Sequence, residues 1–161
     1  MNPAKSFEAT KVEDFKMIIV TSPAFKENES IPAKYTCDGS NDNPPLDLAN
    51  IPEAAASLVL IVDDPDAPGG TWLHWLNWNI PITHHIREGH KSGIQGINDF
   101  KKRGYGGPCP PTGTHRYQFK VYALNNILKI ENTANVNDVE KAMSDNIMAF
   151  GSLTGIYSRK K

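Results

Sequence analysis

The stretch SLVLIVDD, residues 57–64, decides the architecture of this chain. Apolar side chains occupy every position from 58 to 62, so an extended strand would be apolar on both of its faces. That pattern is typical of a central strand covered on both sides. The motif DPDAP (64–68) follows directly, and its prolines cannot continue a hydrogen-bonded ladder. We therefore expect the strand to end at Asp63 or Asp64.

Two further segments have the two-residue period of strands. In TWLHWLNWNI (71–80), this period predicts that one face carries Trp72, His74, Leu76, Trp78 and Ile80. In HRYQFKVYAL (115–124), it predicts a face formed by His115, Tyr117, Phe119, Val121 and Ala123. MIIVT (17–21) and SLTGIYS (152–158) are predicted as the first and last strands.

One helix is predicted near the C-terminus, over NDVEKAMSDNIMAF (137–150). Apolar residues recur there at helical spacing, Asn137 with Glu140 forms a plausible N-terminal cap, and Gly151 follows as a stop signal. Together, these patterns predict a mainly antiparallel β-protein with one clear helix.

Composition narrows the class of protein. The 161 residues are 39% hydrophobic and 22% charged, which predicts one globular domain. Their net charge of −1 indicates no basic surface of the kind that binds nucleic acid or anionic membranes. We expect a polar extension over 1–16 and a single domain over 17–161. No run is long and apolar enough for a membrane span, and the N-terminus lacks a secretory signal. With only two cysteines, this predicts a cytoplasmic location.

Polar residues that are in phase with apolar faces point to a binding site. Asp64 ends the first strand, His74 lies in the second, and His115 and Tyr117 begin the third. If the three faces share one core, these polar ends meet at its rim. A pocket with an apolar floor and polar walls would result, as is usual for small-ligand sites.

The segment GYGGPCPPTGT (104–114), the Gly-Pro loop, precedes His115. Its glycines permit a positive φ and would let backbone N–H groups point inward, while its prolines stiffen it. Backbone donors beside two histidines suit an anion, especially a phosphoryl group. Asp64 and Asp66 would then accept hydrogen bonds and orient an imidazole ring.

Each of these residues also has a plainer interpretation. Asp66 in Asp-Pro-Asp is ordinary turn chemistry, and His74 among tryptophans is compatible with a buried core histidine. Cys109 between two prolines is more often structural than nucleophilic, and whether it meets Cys37 stays open. Two aspartates and two histidines without ligand spacing give only a weak metal signal.

An ordered set of motifs resembles one known family. DPDAP (64–68), HW (74–75) and GTHRY (113–117), with YTCDG (35–39) and GYGGPCPP (104–111), are similar to the phosphatidylethanolamine-binding protein family. The match is to its bacterial and archaeal Raf kinase inhibitor-like branch. The resemblance implies an antiparallel β-sandwich with a large central sheet, one or two short helices near the C-terminus, and a small anion-binding pocket. Carried over by motif, the ligand-binding residues would be Asp64, Asp66, Pro68, Trp72, His74, Gly107, Pro108, His115 and Tyr117.

The resemblance also implies a function. We expect a non-enzymatic protein, without metal or cofactor, that binds a small anionic or phosphorylated ligand. A protein partner, either a kinase or a protease, would make it a regulatory or inhibitory module, and a homodimer is a further expectation. The alternative is a hydrolase or phosphatase-like enzyme in which Asp64 and His74 act together as the catalytic base.

Overall fold

The computed structural model describes residues 16–159. Within this range the chain forms nine strands, one α-helix and one short 3₁₀ helix. The strands are β1 Lys16–Met17, β2 Ile19–Thr21, β3 Leu46–Ala49, β4 Ser57–Asp64, β5 Trp72–Ile80, β6 His85–Ile86, β7 Ile94–Gln95, β8 His115–Leu124 and β9 Ile147–Tyr157. The helices are the 3₁₀ turn Ala33–Tyr35 and α1 Val136–Met143.

The strands of the described range form two sheets. The large sheet has the order β1-β9-β8-β4-β5-β7, and the small one has the order β2-β3-β6. All pairs are antiparallel except β1 with β9, so the large sheet is mixed at that edge. The small sheet covers the front face of the large sheet, and α1 covers its back face. A first core fills the space in front and a second core the space behind.

Strand β4 is the buried centre that its sequence predicts. It lies between β5 and β8, and all eight of its residues are buried. Leu58, Leu60 and Val62 belong to the first core, whereas Val59 and Ile61 belong to the second. The alternation predicted for β8 is also confirmed, with Tyr117, Phe119, Val121 and Ala123 in the first core.

The predicted faces of β5 are partly wrong. Trp75 lies in the first core, whereas Leu76 and Trp78 lie in the second. The register between β4 and β5 shifts twice, and each shift inserts one extra residue into β5, which reverses the alternation of its side chains. His74 is the extra residue at the second shift. It therefore faces Tyr117 on the front of the sheet rather than the side of Leu76 and Trp78.

The helix is shorter than predicted. Its N-cap is Asn135, which forms a capping box with Asp138, and helix α1 ends at Met143 rather than at residue 150. Residues 147–150 have helical spacing in the sequence, but they pair with the end of β8 and begin β9. Strand pairing along β8 therefore overrides the local helical pattern.

Two other boundaries differ from the expectation. Gly151 does not end a helix but lies inside β9, where the carbonyl of Ile18 approaches so closely that a Cβ atom would collide with it. The segment 17–21 is divided between β1 and β2, which belong to different sheets. Residues 1–15 of the predicted extension lie outside the described residues.

Candidate anion-binding cleft

A cleft of about 310 Å³ opens where β4 ends and β8 begins, on the front face of the large sheet. Because β4 and β8 are antiparallel, the C-terminal end of one strand lies beside the N-terminal end of the other. The lining residues are Asp64, Ala67, Pro68, Trp72, His74, Phe100, Cys109, Pro110, Pro111, His115 and Tyr117. The cleft therefore brings together Asp64, His74, His115 and Tyr117, although His74 reaches it through the register shift of β5 and not through its predicted phase.

Asp64 and His115 form a buried pair across β4 and β8. The Nδ1 atom of His115 lies 2.6 Å from Oδ2 of Asp64, and the two side chains are only 9% and 4% exposed. The other carboxylate oxygen accepts the backbone N–H of Asp66 at 2.7 Å. Both oxygens of Asp64 are thus occupied, and they fix the imidazole with Nδ1 inward. Nε2 of His115 makes no hydrogen bond to the residues that the structure describes.

His74 is held by the Gly-Pro loop. Its Nδ1 lies 2.6 Å from the carbonyl oxygen of Gly106, and the N–H of Gly106 donates back to the carbonyl of His74 at 2.9 Å. Because a carbonyl can only accept, Nδ1 must carry the proton of this bond. Burial lowers the pKa of His74, although the carbonyl of Gly106 partly opposes that effect. In the neutral ring, Nε2 is therefore a hydrogen-bond acceptor.

Tyr117 stands between the two histidines. Its ring meets that of His74 edge-on at 5.2 Å between centroids, and it stacks on His115 at 6.4 Å with planes 22° apart. Its hydroxyl is buried and has no partner of ordinary hydrogen-bond geometry among residues 16–159, although the backbone N–H of Cys109 is near enough to lower its pKa slightly. Burial raises the pKa of this hydroxyl, and the nearby charge of Asp64 raises it further. Tyr117 thus keeps its proton and offers an unused O–H group at the cleft.

Trp72 and Phe100 form an aromatic rim. Their rings meet edge-on at 5.5 Å, and the Phe100 ring also meets His74 edge-on at 5.4 Å. Each of the two residues is 38% exposed. Phe100 is a cleft residue that sequence reasoning missed, because it lies in a loop with no periodicity. That loop is fixed by Asn98, whose Oδ1 accepts the backbone N–H of Phe100.

Three of the proposed ligand residues do not line the cleft, and the first of them is Asp66. Its carboxylate accepts bonds from Nε and Nη2 of Arg116 at 2.9 and 2.8 Å and from the backbone N–H of Arg116 at 2.9 Å. These hydrogen bonds lower the pKa of Asp66 to about 2. Asp66 therefore anchors Arg116, the residue next to His115, and does not line the cleft.

The other two are Gly107 and Pro108, which brace the cleft wall from behind. The N–H of Gly107 donates to Oδ1 of Asn41 at 2.8 Å, and the carbonyl of Pro108 accepts the N–H of Cys37 at 3.1 Å. The N–H of Gly106 is likewise used by His74. The prediction that the amides of this loop point into the cleft is therefore wrong for Gly106 and Gly107. These amides hold the wall in place.

Cys37 and Cys109 form a disulfide, which answers a question that the sequence left open. The bond joins residues 72 positions apart and ties the Gly-Pro loop to the segment after the 3₁₀ helix. Cys109 itself lines the cleft. Its sulfur is therefore a structural part of the wall and is not a free thiol.

The cleft has hydrogen-bonding atoms but no recognised metal-ligand set. Among residues 16–159, no group of three or more histidine, cysteine, aspartate or glutamate side chains is arranged to hold a metal ion. No helix in the same range has the length and apolarity that crossing a bilayer requires. The chemistry available at the cleft is hydrogen bonding by two imidazole nitrogens and one phenol, between apolar walls.

The fold and the cleft define a β-sandwich protein with a small, partly apolar cleft on the front face of its large sheet. A family model described as phosphatidylethanolamine-binding protein matches residues 21–158. The chain belongs to this family, so the resemblance that its motifs predict is confirmed.

Individual relatives agree with this assignment. A UPF0098 protein of Pyrococcus abyssi is 50% identical over 154 residues, which span 89% of this chain and 86% of the relative. The crystal structure of a putative phosphatidylethanolamine-binding protein homologue from Chlamydia trachomatis has a TM-score of 0.86 at 38% identity and covers 90% of this chain and 99% of that one. An Escherichia coli protein described as a new member of the mammalian family has a TM-score of 0.81 at 32% identity, with 89% and 99% covered. The predicted β-rich sandwich fold is therefore confirmed.

Proposed function

We propose that this chain is a non-enzymatic binding protein whose cleft takes an anionic group, such as a phosphoryl group, carried by a small organic molecule. One observation carries the proposal: three uncommitted polar atoms line the same cleft. They are Nε2 of His74 and Nε2 of His115, the ring nitrogens that Gly106 and Asp64 do not engage, and the hydroxyl of Tyr117, which is buried without a partner of ordinary hydrogen-bond geometry among the described residues. Buried polar groups are normally paired, so the unpaired hydroxyl of Tyr117 beside these two ring nitrogens favours a ligand at the cleft.

The charge of Asp64 does not argue against an anion. Both of its oxygens already accept hydrogen bonds, one from His115 and one from the backbone of Asp66. A carboxylate used in this way stabilises a positive charge on the imidazole that it contacts. The ligand then meets Nε2 of His115 rather than a bare carboxylate.

The apolar walls of the cleft favour an anionic group that is carried by an organic molecule. Ala67, Pro68, Trp72 and Phe100 give the cleft apolar surface, and its volume of about 310 Å³ is at the small end of the usual range for ligand sites. An ion alone would leave this apolar surface in contact with water. A phosphorylated headgroup or another small organic anion would cover it.

The test is a titration of the histidine side-chain NMR signals with inorganic phosphate and phosphoethanolamine. We expect saturable shifts confined to His74 and His115, assigned with the His74→Ala and His115→Ala variants. His85 is an internal control, since it is exposed and pairs with Asp47 on the small sheet. Shifts that are absent at saturating ligand, or equal at His85, would contradict the proposal.

A hydrolytic function is the second candidate, and the Asp64–His115 pair is the observation that favours it. A carboxylate bonded to Nδ1 leaves Nε2 as a general base toward water. The earlier alternative paired Asp64 with His74, but the carboxylate of Asp64 bonds to His115. Turnover of phosphate monoesters that is lost in Asp64→Asn would establish this function. Full binding without turnover would exclude it.

A protein partner, such as a kinase or a protease, would use the aromatic rim beside the cleft. Trp72 and Phe100 are adjacent and exposed, and large exposed aromatic residues are typical of interaction surfaces. Capture of a partner by the wild type, with loss of capture in His115→Ala, would support this extension. A homodimer also stays a prediction, which analytical ultracentrifugation would test.

The cytoplasmic location stays a proposal that must accommodate the disulfide. Disulfides are rare in the cytosol of mesophiles and common in oxidising compartments and in hyperthermophiles. Counting free thiols in protein isolated under denaturing, alkylating conditions would show whether Cys37 and Cys109 are joined in the cell.

A further inference from the structure

We propose that the disulfide Cys37–Cys109 is a reactive part of the cleft wall, and that it undergoes thiol–disulfide exchange with small thiols that carry an anionic group. This inference rests on the proposed function, because the anion site holds the thiol beside the disulfide. It adds a covalent activity to binding: the thiol becomes attached to Cys109 as a mixed disulfide. The reaction is stoichiometric, so the chain remains a binding protein and not an enzyme.

The position of the disulfide makes one of its two residues the natural target. Cys109 lines the cleft, whereas Cys37 is not among the lining residues. Both cysteines are half-buried, so neither is sealed inside a core. Exchange places the attacking, attacked and leaving sulfur atoms close to one line, and its rate depends on which sulfur is accessible. A thiolate in the cleft therefore attacks Cys109 and displaces Cys37 behind it.

An unpaired polar group lies next to the attacked residue. Tyr117 is only 1% exposed, and its hydroxyl is buried without a partner of ordinary hydrogen-bond geometry in the described chain. The backbone N–H of Cys109 is close enough to this hydroxyl to lower its pKa slightly. Burial has the larger, opposite effect on the pKa, so the hydroxyl keeps its proton and can donate to an anion. An anionic group held there lies beside the disulfide.

The rest of the cleft suits a short organic thiol. Ala67, Pro68, Pro110 and Pro111 give it apolar surface for a carbon chain, and its volume of about 310 Å³ limits the length of that chain. Asp64 is the one carboxylate among the lining residues of the described chain, and both of its oxygens already accept hydrogen bonds. No bare carboxylate therefore opposes the incoming thiolate.

The exchange needs no oxidant or reductant beyond the disulfide and the thiol. The thiol first releases its proton to water, and the thiolate sulfur then forms a bond to Sγ of Cys109. The bond between Cys109 and Cys37 breaks as the new one forms, and its electron pair leaves on Sγ of Cys37. That sulfur takes a proton from water. Cys37 is thereby reduced to a thiol while the incoming thiol is oxidised into the mixed disulfide.

The experiment compares an anionic and a neutral thiol of similar size, 2-mercaptoethanesulfonate and 2-mercaptoethanol, with the oxidised protein at pH of about 8. Acid quenching, maleimide alkylation and peptide mapping by mass spectrometry give the rate of disulfide opening and the cysteine that carries the thiol. We expect the anionic thiol to react about tenfold faster at low concentration, with a saturable rate and an adduct on Cys109. The net charge of −1 gives the chain no general attraction for anions, so such a preference reports the cleft.

Competition and a matched pair of variants assign the preference to the anion site. Inorganic phosphate should slow the reaction of 2-mercaptoethanesulfonate and leave that of 2-mercaptoethanol unchanged. Tyr117→Phe should bring the rate of the anionic thiol toward that of the neutral one, because it removes a donor to the anion. Tyr122→Phe makes the same change in the second core and should keep the wild-type rates. If Tyr117→Phe does not fold, the phosphate competition on wild type decides.

The possible failures can be told apart. Equal rates for the two thiols, while phosphate still shifts the signals of His74 and His115, would overturn the exchange reaction and leave the anion-binding function intact. An adduct found only on Cys37, or a preference for the anionic thiol that phosphate does not reduce, would also overturn the exchange in the cleft. Absence of phosphate and phosphoethanolamine binding would overturn the proposed function itself.

Discussion

The two faces of the β4–β8 pair carry the same kinds of residue in different settings. On the front face, Asp64 pairs with His115, and on the back face Asp63 pairs with Lys120 at 2.9 Å. Tyr117 in front and Tyr122 behind each bury a hydroxyl that has no hydrogen-bond partner in the described chain. Tyr117 lines the cleft, whereas Tyr122 packs in the second core. An unpaired polar atom therefore indicates a binding site only where space for a ligand adjoins it.

The largest expected difference between the faces comes from the disulfide, which crosslinks only the wall of the front cleft. We expect a Cys37→Ser/Cys109→Ser double variant to lose about 4 kcal/mol of unfolding free energy, the loop-closure estimate for a crosslink of this span. Chemical denaturation with and without a dithiol reductant measures the effect. The hydrogen bonds of the Gly-Pro loop, including those of Gly106 and Gly107, still hold the wall. A folded reduced protein with normal phosphate affinity is therefore expected at low denaturant. Loss of phosphate affinity on reduction would show that these contacts are not sufficient.

The next largest expected effect is a difference in unfolding free energy between variants of Asp64, on the front face, and of Asp63, on the back face. Asp64→Ala removes the partner of a histidine whose side chain is 9% exposed, and breaking a buried pair costs about 3 kcal/mol. Asp63→Ala should cost about 1 kcal/mol, because the Lys120 side chain is 20% exposed and its flexible stem can reach water. Urea denaturation of both variants gives the comparison. Equal losses of unfolding free energy in the two variants would show that the deeper burial of the Asp64–His115 pair does not make it the more stabilising one.

A smaller effect, on phosphate affinity, should distinguish Tyr117 on the front face from Tyr122 on the back face. Tyr117→Phe should weaken phosphate binding about tenfold, because it removes one donor to the anion. Tyr122→Phe should leave phosphate affinity unchanged. Neither variant should destabilise the fold appreciably, since each hydroxyl is buried without a partner. Calorimetry and thermal unfolding measure the two quantities. Equal binding by Tyr117→Phe and wild type would remove the tyrosine from the site.

The smallest effect concerns Asp66, which supports the front face from its edge. Hydrogen bonds from Arg116 lower its pKa from 3.8 to about 2. A lowered carboxyl pKa stabilises the folded state above the unfolded value, and this contribution is lost as pH falls from about 4 toward 2. Because the two side chains are 30% and 57% exposed, solvent screening should limit it to under about 1 kcal/mol.

The measurement for Asp66 is the unfolding free energy of wild type and Asp66→Asn at pH values of about 5 and 2.5, where only the difference between the proteins matters. Wild type should be the more stable protein at the higher pH, and the gap should close at the lower one. A gap that is independent of pH would show that the Arg116 pair contributes no ionic stabilisation.

Much of the front face could be predicted from the sequence because its signals are local. Continuous apolar character marks β4, and strict alternation places His115 and Tyr117 on the core side of β8. The side-chain alternation along β4 likewise predicts that Asp64 lies on the front face. The positions of these three residues could be predicted without knowing which strands are neighbours, given only the assumption of a shared core.

The rest depends on partners that the sequence does not show. His74 reaches the cleft only because a register shift inserts it as an extra residue of β5, and that shift is set by pairing with β4. Phe100 enters from a loop, and residues 147–150 choose a strand over a helix because β8 is available to pair with them. The disulfide depends on the distance between two loops. Each of these features is tertiary in origin, so no local pattern could have shown it.

A crystal structure of the protein grown with inorganic phosphate and without sulfate would test the anion site most directly. We predict phosphate in the cleft with its oxygens within hydrogen-bond distance, about 2.6–3.2 Å, of Nε2 of His74, Nε2 of His115 and the hydroxyl of Tyr117. Phosphate bound elsewhere, with those three atoms facing only water at saturating concentration, would contradict the proposed function.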